Sequence, residues 1–264
     1  MTSAASPAGP LHLLQRALRS SPRAMRSGLV LGWARHHDEL REAQRLRFDV
    51  FSRELGAQMT TPVPGHDIDR FDDYCEHLLA RDAATGEVIG TYRVLTPTQA
   101  RRAGGTYSDQ EFDLAPLGPL RPRMVELGRS CVHAGHRHGG VVLALWSELT
   151  AFMARNTLDT MIGCASISMQ QHGPEGAAAV WQQLCLSHLA PVRYQVRPHL
   201  ALPLAHAVLP HGMAAPPLIR AYLRLGARLL GPPAWDPAFN TADLPMMMRM
   251  EDLPPRYRQS TLRG

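Results

Sequence analysis

The segment from Glu126 to Val132 places charged residues inside the apolar pattern of a buried strand. Its order is Glu-Leu-Gly-Arg-Ser-Cys-Val, so an acid and a base stand on either side of Gly128. Charges in a core strand are costly unless they are paired or used in chemistry. The segment is followed by a loop that contains Arg137, Gly139 and Gly140, and then by a predicted apolar helix. The N-terminus of that helix would bind the phosphate of an acyl carrier. We interpret the segment as the centre of an acyl-transfer site.

Glu126 is the candidate for the proton acceptor of such a reaction, or for the anchor of an attacking amine. The structural alternative is a carboxylate paired with Arg129 or Arg93. Residues three apart in a regular strand point to opposite faces, so Glu126 and Arg129 share one site only if the strand is irregular. Gly128 is a natural position for a bulge, and we predict such a bulge or a splay from the neighbouring strand. Either would free backbone N–H groups to polarise a thioester carbonyl.

Arg47 is a second charged residue in an apolar setting. It shares one face of a predicted helix with apolar residues such as Leu40. A buried Arg needs a carboxylate partner, and Asp69 and Asp72 are the candidates. An ion pair between Arg47 and one of these aspartates would dock the helix onto the loop. Alternatively, Arg47 would contact the substrate or the carrier, and the sequence leaves both roles open. Arg93 is expected to join the same network.

The elements that must position these residues alternate between helices and strands. Helices are predicted over 38–55, with Asp38 as the N-cap, and over 108–112, 141–156, 175–187 and 216–225. Strands are predicted over 77–81, 87–95, 123–133, 160–168, 193–202 and 242–250, and 96–122 is expected to be irregular apart from its short helix. This order predicts an α/β fold with a mixed sheet. We expect a basic arm over 1–28, one domain over 29–258 and a tail over 259–264.

Composition limits the function classes. The 264 residues include 28 basic residues, all of them Arg, and the net charge is +5. Without Lys there is no Schiff-base or amine nucleophile, and every fixed cation is a guanidinium. The positive charge suits anionic lipid, nucleic acid or an acidic carrier protein, but few aromatic residues accompany the arginines, which argues against nucleic acid.

Cysteine and histidine spacing predicts no metal site. The four cysteines are widely separated and form no Cys-x-x-Cys pair. Cys131 with His133, His136 and His138 fits no closed metal site. The chain also has no apolar run long enough to span a bilayer and no apolar block typical of a secretory signal. We therefore expect a cytoplasmic protein.

Several motifs occur in the order found in a known group of enzymes. They are Arg47-Phe48-x-x-Phe51, Asp69-x-Phe71-Asp72-x-x-x-x-His77-Leu78, Gly90-Thr91-Tyr92-Arg93-Val94-Leu95 and Glu126-Leu127-Gly128-Arg129. This order resembles the acyl-homoserine-lactone synthases and their relatives, which have a GNAT-like fold. The segments Gly163-Cys164-Ala165-Ser166, 217–227 and 233–244 are more similar to the L-ornithine Nα-acyltransferase family.

The resemblance covers roughly 40–257 and implies a reaction. A 3-hydroxyacyl group would pass from acyl-carrier protein to the α-amine of L-ornithine, giving lyso-ornithine lipid. Glu126, Gly128 and Arg129 would form the catalytic centre. The substrate-binding or supporting residues would be Arg47, Phe51, Asp69, Asp72, Arg93, Ser130 and Ser166. The donor is the phosphopantetheine thioester of the carrier, so no bound cofactor is expected.

Two other classes stay open. One is a lactone synthase or another GNAT N-acyltransferase that acts on a different amino acid or small amine. The other is a non-catalytic GNAT-like binding module. Arg220, Arg224 and Arg228 follow at a spacing of four and would face either anionic lipid or the acidic carrier. Peripheral attachment to the inner face of the cytoplasmic membrane is the corresponding expectation.

Overall fold

An eight-stranded sheet organises the computed structural model, which describes residues 28–137, 140–202 and 214–253. The strands are β1 (Leu29–Trp33), β2 (Glu76–Asp82), β3 (Val88–Leu95), β4 (Phe112–Asp113), β5 (Met124–Val132), β6 (Thr160–Ser168), β7 (Arg197–Pro198), β8 (Arg228–Leu229), β9 (Ala234–Asp236) and β10 (Thr241–Arg249). Their order is β1-β2-β3-β5-β6-β10-β8, with β9 beside β10 and a separate β4-β7 pair. Strands β5 and β6 pair in parallel, and the other pairs of strands in the described ranges are antiparallel, which confirms the predicted mixed sheet.

Six α-helices accompany the sheet in the described ranges. They are α1 (His37–Phe48), α2 (Pro97–Ala103), α3 (Ser108–Glu111), α4 (Gly140–Arg155), α5 (Met169–His188) and α6 (Pro217–Arg224). Helix α4 buries Val141, Leu145 and Leu149 in the main apolar core, together with residues of β2 and β3. No helix within these ranges is both long enough and apolar enough to cross a bilayer. The predicted tail over 259–264, and the predicted arm apart from Gly28, fall outside the described residues.

The first helix differs from its predicted bounds at both ends. The Glu39 carboxylate accepts hydrogen bonds from the backbone N–H groups of Arg35 and His36, so α1 starts before the predicted N-cap Asp38. At its other end α1 stops at Phe48 and continues as a π-helical turn, Asp49–Glu54. The spacing of apolar residues does not distinguish an α-helix from a π-helical turn, because both keep side chains on one face over a single turn.

The prediction that 96–122 is largely irregular was wrong at its start. Thr96 and Gln99 form a capping box, Pro97 occupies the first turn of α2, and Gly104 ends the helix with φ +77°. These are ordinary start and stop signals for a helix. The edge strand β1 was not predicted, although its side chains alternate between half-buried and exposed.

Two later predictions need correction. The segment predicted as a strand over 193–202 contains a 3-10 turn, Val192–Tyr194, and only the two-residue strand β7. Pro198 has no N–H to donate, so it cannot extend a ladder. Helix α5 begins at Met169, earlier than predicted, and is broken at Gly173, which has φ +64°.

The predicted distortion of the central strand is confirmed. Thr91 pairs with Cys131 and Arg93 with Gly128, so one residue of β3 faces Arg129 and Ser130 of β5. This two-against-one register is a β-bulge. Gly128 itself needs no special conformation; the left-handed residue is Arg129, with φ +49°.

The predicted splay is also present. Strands β5 and β6 share register only as far as Glu126 and Ile162. The next residue of β6 is Gly163, and a Cβ there would collide with the carbonyl oxygen of Leu127. The strands are therefore in close contact at this point and then separate, which leaves the bulged part of β5 facing open space.

Candidate active site

A cavity of about 510 Å³ lies where β5 and β6 separate. Seven of the residues predicted from the sequence line it: Phe51, Arg93, Glu126, Gly128, Arg129, Ser130 and Ser166. Much of the remaining wall is apolar, with Trp146, Met161, Ile219 and Met246 among its residues. The bulge therefore brings Glu126 and Arg129 to one space despite their unfavourable spacing in a regular strand.

Glu126 is held by the turn before α3. Its Oε2 accepts a hydrogen bond from Tyr107 N at 2.7 Å, and its Oε1 accepts from Ser108 N at 2.7 Å and Ser108 Oγ at 2.5 Å. The partners are thus not Arg93 or Arg129, as the structural alternative assumed. Burial raises the pKa of Glu126, and these donors oppose that rise. Because a carboxylate has about four acceptor positions, one position remains for a ligand.

Three arginines and three aspartates form a closed ionic ring behind the cavity. Arg47 contacts Asp67 at 2.8 Å and Asp72 at 2.7 Å. Arg93 contacts Asp72 at 2.9 Å and Asp69 at 2.6 Å. Arg129 completes the ring, with Asp69 at 3.0 Å and Asp67 at 3.2 Å. Each charge has two opposite neighbours, so the buried set is electrically neutral.

The ring confirms the predicted network and extends it. Arg47 and Arg93 hold the pKa of Asp72 far below its usual value, against the opposing effect of burial. Asp67 was not predicted as a member, because nothing in its local sequence distinguishes it from a loop aspartate. The Arg129 guanidinium also lies over the rings of Tyr107 and Phe239, at 4.9 Å and 4.6 Å from their centroids. This residue therefore connects the ring to the cavity wall.

A second acidic cluster was not predicted from the sequence. Glu111, Asp243 and Cys164 each place one polar atom within 4.8 Å of the others. Cys164 Sγ donates to Glu111 Oε2 at 3.4 Å, and Tyr107 Oη donates to Asp236 at 3.1 Å. Burial and the neighbouring carboxylates raise the pKa of Glu111; burial above all raises the pKa of Asp243. Three such ligand atoms could also hold a metal ion, although the set contains no imidazole.

Comparison with known proteins decides the family. The acetyltransferase (GNAT) domain family matches residues 46–147. The L-ornithine Nα-acyltransferase of Brucella abortus (strain 2308) is 36% identical over 241 residues, which cover 83% of each chain. The chain belongs to this acyltransferase family. The L-ornithine Nα-acyltransferase of Rhodobacter capsulatus is also 36% identical, over 245 residues that cover 86% of this chain and 92% of its own.

The fold comparison agrees. The structure of the CoA-dependent acyl-homoserine lactone synthase BjaI superposes with a TM-score of 0.54 at 15% identity, covering 89% of this chain and 88% of BjaI. At this identity the likeness establishes the fold alone. The GNAT fold and the family predicted from the motifs are thus confirmed, and the acyltransferase has the mixed sheet of that fold.

Two described residues of the predicted carrier loop, Arg137 and Gly140, do not line the cavity. Arg137 pairs with Glu54 at 2.6 Å and donates to the Val132 carbonyl at 2.9 Å. Gly140 begins α4, whereas Gly139 is not among the described residues. Carrier binding by these three residues of the acyltransferase stays a prediction.

The sequence carried a partial signal for the missed residues. Asp236, Asp243 and Cys164 all lie in the segments that distinguish this acyltransferase family from the lactone synthases, but no role followed from that. Glu111 lies within the short helix predicted over 108–112 and is the last residue of α3, but no role was predicted for it. The buried hydroxyl pair Tyr92–Tyr222 at the cavity also gave no signal, because both residues read as ordinary core positions.

The raised pKa of Glu111 predicts a pH effect on stability. A folded-state pKa above the usual 4.5 means that folding favours the protonated carboxyl. The resulting contribution of Glu111 to the free energy of unfolding is fully present below pH 4.5 and is lost as the pH rises through the folded-state pKa. We expect Glu111→Gln, which cannot ionise, to lose less stability than the parent acyltransferase between about pH 5 and pH 9.

Urea unfolding across that range measures the effect. The matched control is Glu148→Gln, because Glu148 bonds to Trp33 and Arg155 and does not line the cavity. Equal pH slopes for Glu111→Gln and the parent protein would contradict the prediction.

Proposed function

We propose that this protein transfers a 3-hydroxyacyl group from the phosphopantetheine thioester of acyl-carrier protein to the α-amine of L-ornithine, forming lyso-ornithine lipid. The observation that carries the proposal is the cavity between β5 and β6, in a chain whose curated relatives are named L-ornithine Nα-acyltransferase. A carboxylate, a bulged backbone and an apolar wall face this one space, as an amine, a thioester and an acyl chain require.

The backbone around the bulge supplies the electrophilic side of the reaction. The neutral α-amine attacks the thioester carbon, and the carbonyl oxygen becomes an oxyanion. Beyond Glu126 the cavity side of β5 has no register partner in β6, so N–H groups of 127–130 are the donors proposed for that oxyanion. The carbon–sulfur bond then breaks and the carrier thiolate leaves. No covalent enzyme intermediate is needed, because a thiolate is a stable leaving group.

Glu126 is proposed to anchor the amine or to accept its proton. Its remaining acceptor position on Oε2 suits an N–H of the substrate, and its raised pKa makes it a stronger base than an exposed carboxylate. Arg129 and Arg93 are assigned a supporting role, because their guanidinium groups are committed to the ionic ring. Ser130 and Ser166 are proposed to contact the substrate from the two separating strands.

The acyl chain is proposed to lie against the apolar wall. Phe51 packs edge-to-face on Phe239 with ring centroids 5.9 Å apart, and both line the cavity. Trp146 and Ile219 extend the same wall. Binding of a long acyl group there would bury apolar surface on both partners.

The carrier and the membrane are proposed as the partners of the outer surface. Arg137, Gly139 and Gly140 would receive the phosphate of phosphopantetheine near the start of α4. Arg224 and Arg228 are exposed and would face carrier or anionic lipid, whereas Arg220, which was predicted to share this face, donates to the Ala215 carbonyl and lines the cavity. A cytoplasmic protein at the inner face of the membrane would thereby meet both its donor and its lipid product.

An assay with defined donor and acceptor tests the function. Purified protein is incubated with 3-hydroxyacyl-carrier protein and L-ornithine, L-lysine or L-glutamine, and acyl-amide is detected by mass spectrometry. We expect product with ornithine, and less with lysine or glutamine. The corresponding acyl-CoA replaces the carrier in a parallel reaction. Absence of amide from every amino acid with both donors would contradict the enzyme assignment, and a preference for another amino acid would correct the substrate.

A further inference from the structure

The carboxyl groups of the acidic cluster and the neighbouring Asp236 have no cationic partner in the described part of the protein. Within the described ranges, Glu111, Asp236 and Asp243 form no ion pair with any Arg or His, whereas Arg129, which lies nearby, is committed to Asp67 and Asp69. The ionic ring is neutral by itself, so it offers no spare cation. A carboxylate removed from water without a cation is costly, so such a carboxyl either takes up a proton or binds a ligand of opposite charge.

Two members of the cluster are available for a ligand. The Asp236 Oδ1 already caps the backbone N–H groups of Ala238 and Phe239, and its Oδ2 accepts from Tyr107. Asp243 is only 4% exposed and lines the cavity, and its partners are neutral hydroxyls: Thr241 Oγ1 donates to Oδ1 at 2.8 Å, and Ser166 also interacts with the carboxyl. Glu111 does not itself line the cavity, but its carboxyl lies within 4.8 Å of the Asp243 carboxyl and accepts from the Cys164 thiol, which is a weak donor.

The cluster is connected to the reacting end of the cavity by short contacts. Ser108 Oγ donates to Glu126 at 2.5 Å and lies 3.6 Å from Cys164 Sγ, which in turn donates to Glu111 at 3.4 Å. A small substrate can therefore reach Glu126 with one end and the cluster with the other. The short aliphatic chain of ornithine carries an amine at each end of such a span.

We propose that Asp243, with Glu111 next to it, binds the side-chain ammonium group of a dibasic amino acid and thereby selects ornithine over neutral amino acids. The inference rests on the proposed function, since it divides that cavity into a reacting end at Glu126 and a cationic end at Asp243. The side-chain ammonium stays charged throughout the reaction, so a carboxylate pair is its natural partner. The α-amine must become neutral before it attacks, which favours its placement at the other end.

The test compares ornithine with norvaline, which has the same carbon chain and lacks the terminal amine. In Asp243→Asn we expect the KM and Kd for ornithine to rise about 10- to 100-fold, as for loss of a charged hydrogen bond. The inhibition constant of norvaline should stay about the same, because norvaline has no group to contact Asp243. Asn retains the acceptor for Thr241, and thermal unfolding verifies that the variant folds.

Two further variants separate the outcomes. Glu111→Gln should also weaken ornithine binding, whereas Glu148→Gln, which alters a carboxylate bonded to Trp33 and Arg155 and not to the cluster, should leave ornithine binding unchanged. If Asp243→Asn weakens the binding of norvaline and of ornithine equally, the inference is overturned, since the carboxyl groups of the cluster would then hold the α-amine. Loss of activity on chelation, restored by a divalent cation, would also overturn it in favour of a metal site. If the proposed function itself is wrong, the parent protein will form no acyl-ornithine, and this outcome differs from both of the others.

Discussion

Glu126→Gln is expected to reduce kcat with ornithine by about 100-fold or more, the usual contribution of a positioned proton acceptor. The amide cannot take a proton at neutral pH. Its NH2 group would also face the N–H donors of Tyr107 or Ser108, which costs about 1–3 kcal/mol of stability through an unmade hydrogen bond. Steady-state kinetics and urea unfolding of the same preparation measure both effects.

Ser108→Ala is the control that separates chemistry from structure. It removes the Oγ hydrogen bond to Glu126 but keeps the carboxylate and both backbone donors. We expect a comparable loss of stability with kcat reduced far less than in Glu126→Gln. If the two variants lose kcat equally, Glu126 acts by fixing the turn before α3. Undiminished turnover in Glu126→Gln would remove this residue from the reaction.

Asp72→Asn is expected to cost about 3–5 kcal/mol of unfolding free energy, the typical result of breaking a buried ion pair on one side. Asp72 is 3% exposed and accepts from Arg47, Arg93 and Gln44. The substitution leaves the ring with an excess positive charge and turns an amide N–H2 toward donors. The link through Asp72 between Arg47 of α1 and Arg93 of β3 would be weakened, whereas Asp67 would keep its contacts with Arg47 and Arg129.

The surface pair Arg53–Asp49 is the matched control for the ring. Its atoms are 2.6 Å apart, but the side chains are 69% and 47% exposed, so Asp49→Asn should cost less than about 1 kcal/mol. A further check uses acid. Because the folded-state pKa of Asp72 is depressed, its contribution is present above the usual pKa of 3.8 and is lost as the pH falls toward the folded value.

The difference in stability between parent and Asp72→Asn should therefore shrink from pH 7 toward pH 3. Urea midpoints at both pH values give the comparison. A cost for Asp72→Asn no greater than that for Asp49→Asn would show that the ring does not stabilise the fold. A difference that is unchanged by acid would point to lost packing in place of lost charge pairing.

Local patterns predicted much of the fold because they reflect short-range geometry. The strand β6 has the predicted bounds, and α4 and α6 lie within one residue of theirs at each end. Segments in which two local signals compete were predicted less well. Pro198 interrupts a β-rich stretch, and the capping box at Thr96 outweighs the Gly- and Pro-rich sequence that follows it.

The bulge shows how far sequence reasoning could reach at the site. The conflict between strand parity and two charges that needed partners predicted an irregular strand, and the register of β3 against β5 confirms it. The conformational cost falls on Arg129 and not on the permissive Gly128. Cation–π contacts with Tyr107 and Phe239, and the ionic ring, hold Arg129 in place, and these partners come from distant segments.

The sequence alone determined the family, the α/β order and the charged residues of β3, β5 and the first loop, since motif identity and periodicity are properties of neighbouring residues. Only the tertiary structure decided that Asp67 closes the ionic ring and that Glu111 and Asp243 converge on Cys164, with Asp236 nearby. Their association depends on the pairing of β6, β9 and β10 and on the docking of α3. Long-range register sets these distances, and no local pattern encodes which distant carboxylates will share one low-dielectric space.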